Sequence, residues 1–439
     1  AMMQIANVAA ILPVVTSYGP AQYSCVLEGS DTYYYDSEET IYKRLFQDLK
    51  EAVEWLKDFR DSSPSQDLLD DFKRADKVCD GDIDKWIKFA NTLRLRIAMQ
   101  LVKVYPDSQK EAEDAVRDGV LTNSDSDVVL KSGLMLFRIE DLWNDTRANA
   151  NIISILQGYS DPRLERWFAT NNADIYSTDD ELSPVVEKAT KYLGVRQGVP
   201  MTRTEYQGYS KTSRVGIPEQ GPRPVLRVAE AYFLRAEGML RNWNMGDGTP
   251  ESLYNEGIHS AWASVLGDES GWAGTYESYI NGFINTEEGG DFDWELFEGG
   301  FGSAPYINYR NQEYNYYIEE NGKQVGINRI SVRWHDEDSP EKKLQRIITQ
   351  KWISFFPTLS SVAWTEYRRT GYPKLIPIPS DLNYSNGAID TELQIRRLPF
   401  TQSEYRGNTE EVNKALGLLK GPDNGGTRLW WDVDKGNFE

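Results

Sequence analysis

The feature that most constrains this chain is a series of segments in which apolar residues return every three or four positions, each bracketed by start and stop residues. A helix puts i, i+3, i+4 and i+7 on one face, so each such stripe needs another surface to cover it. In DSEETIYKRLFQDLKEAVEWL the stripe is Ile41, Leu45, Leu49, Ala52 and Leu56, with Asp36 as the expected cap and Glu39 three residues on. IDKWIKFANTLRLRIAMQLVKVYP repeats the pattern through Trp86, Phe89, Ala90, Leu93, Ile97 and Leu101 and stops at Pro106; SQKEAEDAVRDG follows and ends on Gly119. Further on, Pro224 is expected to open RPVLRVAEAYFLRAEGMLRN and Thr249-Pro250 to open TPESLYNEGIHSAWASVLG, since the first turn of a helix has no use for the missing N–H. Ser339-Pro340 opens SPEKKLQRIITQKWISFF, whose stripe is Leu344, Ile347, Ile348, Trp352 and Phe355 and which Pro357 closes. Asn408 with Glu411 reads as a capping box for NTEEVNKALGLLKG.

This grammar predicts a mainly α fold. Small residues at close-approach positions (Ala229, Ala236 and Gly238 on one helix, Gly257 and Ala261 on the next) suit antiparallel hairpins packed like tetratricopeptide units. The expected organisation is one domain over residues 1–439. Its helical scaffold occupies about 36–120, 222–268, 339–357 and 408–421, and long irregular, aromatic-rich loops at about 120–222, 268–338 and 357–407 form the binding region. Loops that long are uncommon unless they carry function.

Charge and composition exclude several classes. A formal net charge of -20 repels phosphate backbones and anionic head groups, so no nucleic-acid partner and no basic membrane patch is expected. The two cysteines, Cys25 and Cys79, show neither CxxC spacing nor a nearby histidine and are read as buried thiols. With only two histidines, His259 inside a predicted helix and His335 in the acidic loop RWHDEDSP, no Ser-His-Asp or Cys-His unit can be assembled from motifs, and no catalytic residue is expected. Acidic loops such as GGDFDWELFEGG and YSTDDE leave a hidden pair of glycosidase carboxylates as an alternative, because those two acids need no fixed spacing, but solvated acidic loops are the favoured reading. TNSDSDVV and WHDEDS offer the clustered oxygens that a structural calcium ion takes, yet neither fits an EF-hand loop, so no cofactor is expected.

Aromatic residues make up 12% of the chain, with 25 Tyr and 13 Trp, and they crowd into the stretch from Gly271 to Trp334 without helical periodicity. Rings among Gly, Asn, Asp and Arg on a loop suit stacking on sugar faces or peptide groups. Trp294, Tyr309, Tyr314 and Trp334 are the rings expected to bind ligand; the alternative reading is that most rings of this stretch pack the loop onto the helices.

The segments WIKFANTLRLRIAMQLV, SDPRLERWF, VLRVAEAYFLRAEGMLRNW, SLYNEGIHSAW, ITQKWISFF, WTEYRRTGYPKL, RRLPFTQSEYRGN and GGTRLWWD follow one another in an order that resembles the SusD/RagB family, from about Tyr18 to Asp432. The likeness is greatest to the SusD-like branch. It implies a helical fold of four tetratricopeptide-like pairs in a lipoprotein at the Gram-negative outer-membrane surface. It also implies a non-enzymatic role as the binding lid of a SusC-type TonB-dependent transporter. The ligand would be an oligosaccharide, or a peptide as on the RagB side of the family. The signal peptide and lipidated cysteine are not in this chain, and the usual upstream helices look shortened or missing. The opening AMMQIANVAAILPVV is too short to span a bilayer and starts as if mid-domain, Cys25 lies too far inside the domain to be the anchor, and membrane attachment is expected only through a lipid outside this chain. The QKW and YRRTGYP segments are then expected to be scaffold: Trp352 and Trp364 anchor loop to helix, Arg368 and Arg369 bind carbonyls or carboxylates, and Gly371-Tyr372-Pro373 turns the chain.

Overall fold

The computed structural model describes residues 1–131, 146–159, 161–170, 192, 194–195, 197–198, 209–212, 223–267, 271, 273–281, 318–320, 323–325, 330–378 and 380–439. Helices dominate them, as the periodicity predicts. The first group is α1 (Met2–Tyr18), α2 (Ser24–Glu28), α3 (Glu38–Asp61), α4 (Gln66–Ala75), α5 (Ile83–Gln100) and α6 (Ser108–Arg117). At the centre lies α5, which packs against α1, α3 and α6 and is buried along nearly its whole length. Such a helix is normally apolar on every side, but this one carries Arg94 and Arg96. Both are neutralised inside the protein: Arg94 Nε donates to Glu111 of α6 at 2.6 Å, and Arg96 reaches Glu230 through two bonds of 2.7 and 2.6 Å. The helix α1 joins this core through Ile5, Val8, Leu12 and Val15.

The cap of α3 is Ser37, whose hydroxyl accepts from Thr40 N at 3.2 Å, rather than Asp36. Asp36 instead accepts from Ser24 N at 2.7 Å and so fixes the preceding loop. Two adjacent cap-competent residues cannot be ranked from local sequence, because the loser here is taken by a partner twelve residues away.

Next come β1 (Val128–Leu130), α7 (Ala150–Gly158), α8 (Arg163–Trp167), β2 (Arg223–Leu226), α9 (Val228–Leu240), α10 (Pro250–Leu266) and α11 (Ala273–Asn281). Here the expectation for Pro224 is corrected: it lies in β2, opposite Val129 of the antiparallel β1, and α9 begins only at Val228. The helix start is capped from a distance, with Val228 N donating to Asp127 Oδ1 at 2.8 Å. The start of α10 matches expectation, with Thr249 and Ser252 forming a reciprocal capping box. At Gly257 a Cβ would sit 2.7 Å from the ring of the buried Phe233 on α9, so glycine sets how closely the two helices approach. Gly257→Val should therefore cost about 1–3 kcal/mol through overpacking, read as a lowered melting temperature.

After the short antiparallel strands β3 (Ile318–Glu320) and β4 (Lys323–Val325), the chain forms α12 (Pro340–Ser354), α13 (Ser360–Thr370), α14 (Gln402–Gly407) and α15 (Thr409–Leu416). Consecutive helices touch in the pairs α5/α6, α9/α10 and α12/α13, giving the expected hairpin architecture. Several segments read as irregular are helical: α7 and α8 in the first loop region, α11 in the second, α13 and α14 in the third. Asn408 does not cap α15; its Nδ2 donates to Tyr33 O at 2.7 Å, and Glu411 pairs with Lys414 instead. On α12, Ser339 caps as expected, while Trp352 is half-buried between two apolar clusters and Ile353 is fully buried.

Candidate ligand-binding surfaces

Charged side chains that would attract a search for catalysis are committed to holding helices together. On α9, Glu230 and Glu237 both have no exposed surface. Glu230 takes Arg96 of α5, and Glu237 takes Arg369 of α13 through bonds of 2.6 and 2.7 Å, with Arg241 at 2.8 Å. Arg369 also binds Glu366 at 2.6 Å, and Lys351 of α12 lies 3.2 Å from the same carboxylate. Burial alone would raise the Glu237 carboxyl pKa, but Arg369 and Arg241 more than offset it and hold it well below the usual carboxylate range. Arg368 points the other way, sandwiched 3.6 Å from the Trp364 ring centre and 4.8 Å from that of Trp431, while donating to Arg396 O at 2.7 Å. Trp364 Nε1 reaches Ile395 O at 3.0 Å, and Tyr367 Oη reaches Glu392 O at 2.6 Å. Gly371, at φ 79°, takes the left-handed conformation that ends α13. These contacts give the QKW and RRTGYP segments the scaffold role expected of them.

Of the four predicted rings, Trp294, Tyr309 and Tyr314 lie outside the described residues. Trp334 is 7% exposed. Its ring packs 5.4 Å from that of Tyr254, its Nε1 donates to Asp336 Oδ1 at 3.0 Å, and Lys343 Nζ sits 5.7 Å from the ring centre. Placed so, it is an anchor for the end of the aromatic loop and leaves almost no face for a ligand. At the other end of that loop, Tyr276 and Tyr279 of α11 pack on Trp262 at 5.4 and 4.8 Å, and Tyr279 Oη donates to Asp161 at 2.8 Å. Thus the loop is tied at both ends by rings that the core absorbs.

The structure also brings together an open groove that motif reading missed. It is lined by Ile11, Val14 and Tyr18 of α1, Pro20, Ala21 and Gln22 after it, Tyr35, and Phe400, Thr401 and Glu404 near α14. Its volume is about 360 Å³, within the roughly 300–1,000 Å³ of ligand pockets. Tyr35 Oη donates to Glu404 Oε2, Gln22 Nε2 approaches the same oxygen at 3.4 Å, and Tyr35 meets Phe400 edge-on at 5.3 Å. The floor is fixed by Arg397, which donates to Tyr18 O at 3.0 Å, lies 5.3 Å from the Phe400 ring centre and pairs with Asp423. No local pattern announces this site, because its carboxylate and its tyrosine are 369 residues apart.

Behind the groove, Glu38 at the start of α3 is buried with one oxygen accepting from Trp430 N at 2.9 Å and the other without a partner. Burial raises its carboxyl from 4.5 to about 7, against the opposing hydrogen bond from Trp430. Ionising it therefore costs more in the folded chain than in the unfolded one, so its contribution is fully present below about pH 4.5 and is lost as pH rises through 7. Glu38→Gln, neutral at every pH, should stabilise the protein by about 2–3 kcal/mol at pH 8 and leave it unchanged at pH 4, as read by denaturant titration at both.

Among the described residues no group of three or more His, Cys, Asp or Glu is placed to hold a metal, and no helix is long and apolar enough to cross a membrane. Both cysteines are buried free thiols. His259 lies edge-on to Tyr276 at 5.4 Å, and His335 Nδ1 is 3.3 Å from Glu337.

Residues 1–276 and 301–432 match the SusD-like family model, described as Susd and RagB outer membrane lipoprotein. A chitin-binding SusD homolog from Flavobacterium johnsoniae is 35% identical, with a TM-score of 0.79 over 100% of this chain and 81% of its own. A SusD homolog from Bacteroides vulgatus is 32% identical, with a TM-score of 0.80 over 100% of this chain and 80% of its own. One from Bacteroides uniformis is 30% identical, with a TM-score of 0.77 over 99% and 81%. No curated protein matches. With the family model covering most of the chain and solved relatives superposing along all of it, this protein belongs to the SusD/RagB family of outer-membrane lipoproteins.

Proposed function

We propose that the protein is a non-catalytic, lipid-anchored binding protein at the cell surface that captures an oligosaccharide and delivers it to a SusC-type TonB-dependent transporter. The observation that carries this reading is the 35% identity, along the whole chain, to a chitin-binding relative. The commitment of Glu230, Glu237, Glu366 and their arginines to buried pairs agrees with it, since these charges hold helices and are not free for acid–base work. Trp294, Tyr309 and Tyr314 are the proposed stacking rings, with Trp334 anchoring the segment that carries them. No cofactor or metal is part of this reading.

Each stacked ring offers roughly 0.5–1.5 kcal/mol beyond the area it buries, so a platform of two or three gives modest affinity that the transporter would supplement. Calorimetry with chitin oligosaccharides, other glycans and peptides tests the proposal. Alanine at Trp294, Tyr309 or Tyr314 should weaken glycan binding severalfold while the helical circular dichroism stays unchanged. An unchanged Kd in all three variants would sink the site assignment. A peptide bound in place of any glycan, or new reducing ends released from a glycan pool, would sink the function.

A further inference from the structure

The joint where α9, α12 and α13 meet holds more positive charge than it neutralises. Lys351, Arg369, Arg241 at the end of α9 and Lys103 beyond α5 are four cations; Glu237, Glu366 and Glu341 are the three carboxylates that answer them among the described residues. The neighbouring Arg96–Glu230 pair is balanced and changes nothing in that count. Lys103 registers the excess: burial, then Arg369 and Arg241, push its ammonium down to about 8 against the pull of Glu237 and Glu341.

The same joint has hydrogen-bond donors to spare. Lys351 Nζ has no exposed surface, and although Glu366 Oε1 lies 3.2 Å away, it makes no hydrogen bond among the described residues. Phe355 covers one side, with its ring centre 5.8 Å from the nitrogen. Arg369 spends Nη1 and Nη2 on Glu237 and Glu366, and its buried Nε has no partner among the described residues. Both cations approach the same carboxylate, Lys351 through Oε1 and Arg369 through Oε2, so their unspent N–H groups belong to one enclosed cluster. A buried ammonium without a hydrogen bond is costly, and buried donors are nearly always satisfied.

We infer that Lys351 and Arg369 hold a small inorganic anion, of the chloride class, buried at the α9–α12–α13 joint. One negative charge evens the count and accepts the N–H groups that Glu366 leaves over. Enclosure restricts the occupant to a monatomic ion, since both side chains lack exposed surface and leave no passage for a phosphate or a sugar acid. The fold of a chain with a net charge of -20 then gains from an anion, the opposite of what its overall charge favours.

The test is urea denaturation of the wild-type protein with chloride exchanged for gluconate at constant ionic strength, which separates binding from screening. Once chloride exceeds its dissociation constant, each further tenfold rise should raise the folded-to-unfolded ratio about tenfold, and bromide should substitute where gluconate does not. Lys351→Met, which keeps an apolar stem of similar length and brings the joint to equal charges of each sign, should remove the chloride dependence. Crystals of the wild-type protein grown in bromide should show an anomalous peak within hydrogen-bond reach of Lys351 Nζ, a reading that needs no variant to fold. The inference is overturned by unfolding curves that coincide in chloride and gluconate, by a chloride dependence that survives Lys351→Met, or by crystals in which only water lies beside Lys351. A bromide peak without any chloride dependence of stability also overturns it, as an adventitious ion only.

Discussion

Arg369→Ala is expected to lower the free energy of unfolding by about 3–5 kcal/mol, the usual penalty for removing one member of a buried ion pair. The arginine is fully enclosed and makes three bonds of 2.6–2.7 Å to Glu237 and Glu366. Without it two carboxylates with almost no solvent access are left to Lys351 and Arg241. Their pH behaviour supplies a check. Glu237 is held below its ordinary range, so its contribution in the wild type is present above about pH 4.5 and lost as pH falls. In the variant the same carboxylates gain by protonating, so the deficit measured by denaturant titration should be smaller at pH 4 than at pH 7. Arg369→Met with Glu237→Gln should recover part of the loss, because the pair's uncompensated charge goes with it. Equal stability of Arg369→Ala and wild type at pH 7 would mean that the three helices are not held by this network.

The second large effect is at Trp262. Its side chain is fully buried and is the surface on which Tyr276 and Tyr279 of α11 lie. Trp262→Ala should cost about 3–5 kcal/mol. Because α11 leads into the aromatic segment proposed to bind glycan, the same substitution should also weaken oligosaccharide binding at temperatures where the scaffold is still folded. Trp352→Ala makes the comparison. Trp352 looks equivalent on a helical wheel, but it is only half-buried, and about 1–3 kcal/mol is expected there, without a binding defect. A melting curve for Trp262→Ala that overlays the wild type would contradict the packing described.

The resemblance and the periodicity located most of the scaffold because those signals are local. Leu45, Leu49 and Leu56, or Leu344, Ile347 and Ile348, lie on one face by the geometry of the helix itself, and the capping box at Thr249 and Ser252 closes within one turn. The QKW and RRTGYP segments were legible as scaffold for a related reason: tryptophans and paired arginines on a helix have to be partnered somewhere inside. The partners themselves were not legible. Pro224 was expected to open α9 because proline suits a first turn, yet it lies in a strand, since Asp127, reached only through the fold, supplies the cap at Val228. Trp334 was expected to face ligand because its neighbours are polar, yet Tyr254 from α10 covers its ring.

By itself the sequence determined that this chain is built of helix pairs, roughly where α3, α5, α6, α9, α10, α12 and α15 lie, that its cysteines are buried, and which family its ordered motifs resemble. Each of those rests on spacings of a few residues, or on segments read one after another. Only the tertiary structure decided which carboxylate answers which arginine, which rings the core absorbs, and that Tyr18, Tyr35, Phe400 and Glu404 line one groove. Those pairings join residues tens to hundreds apart, as with Arg96 and Glu230 or Tyr35 and Glu404, and helical periodicity carries no information about what stands across from a helix face.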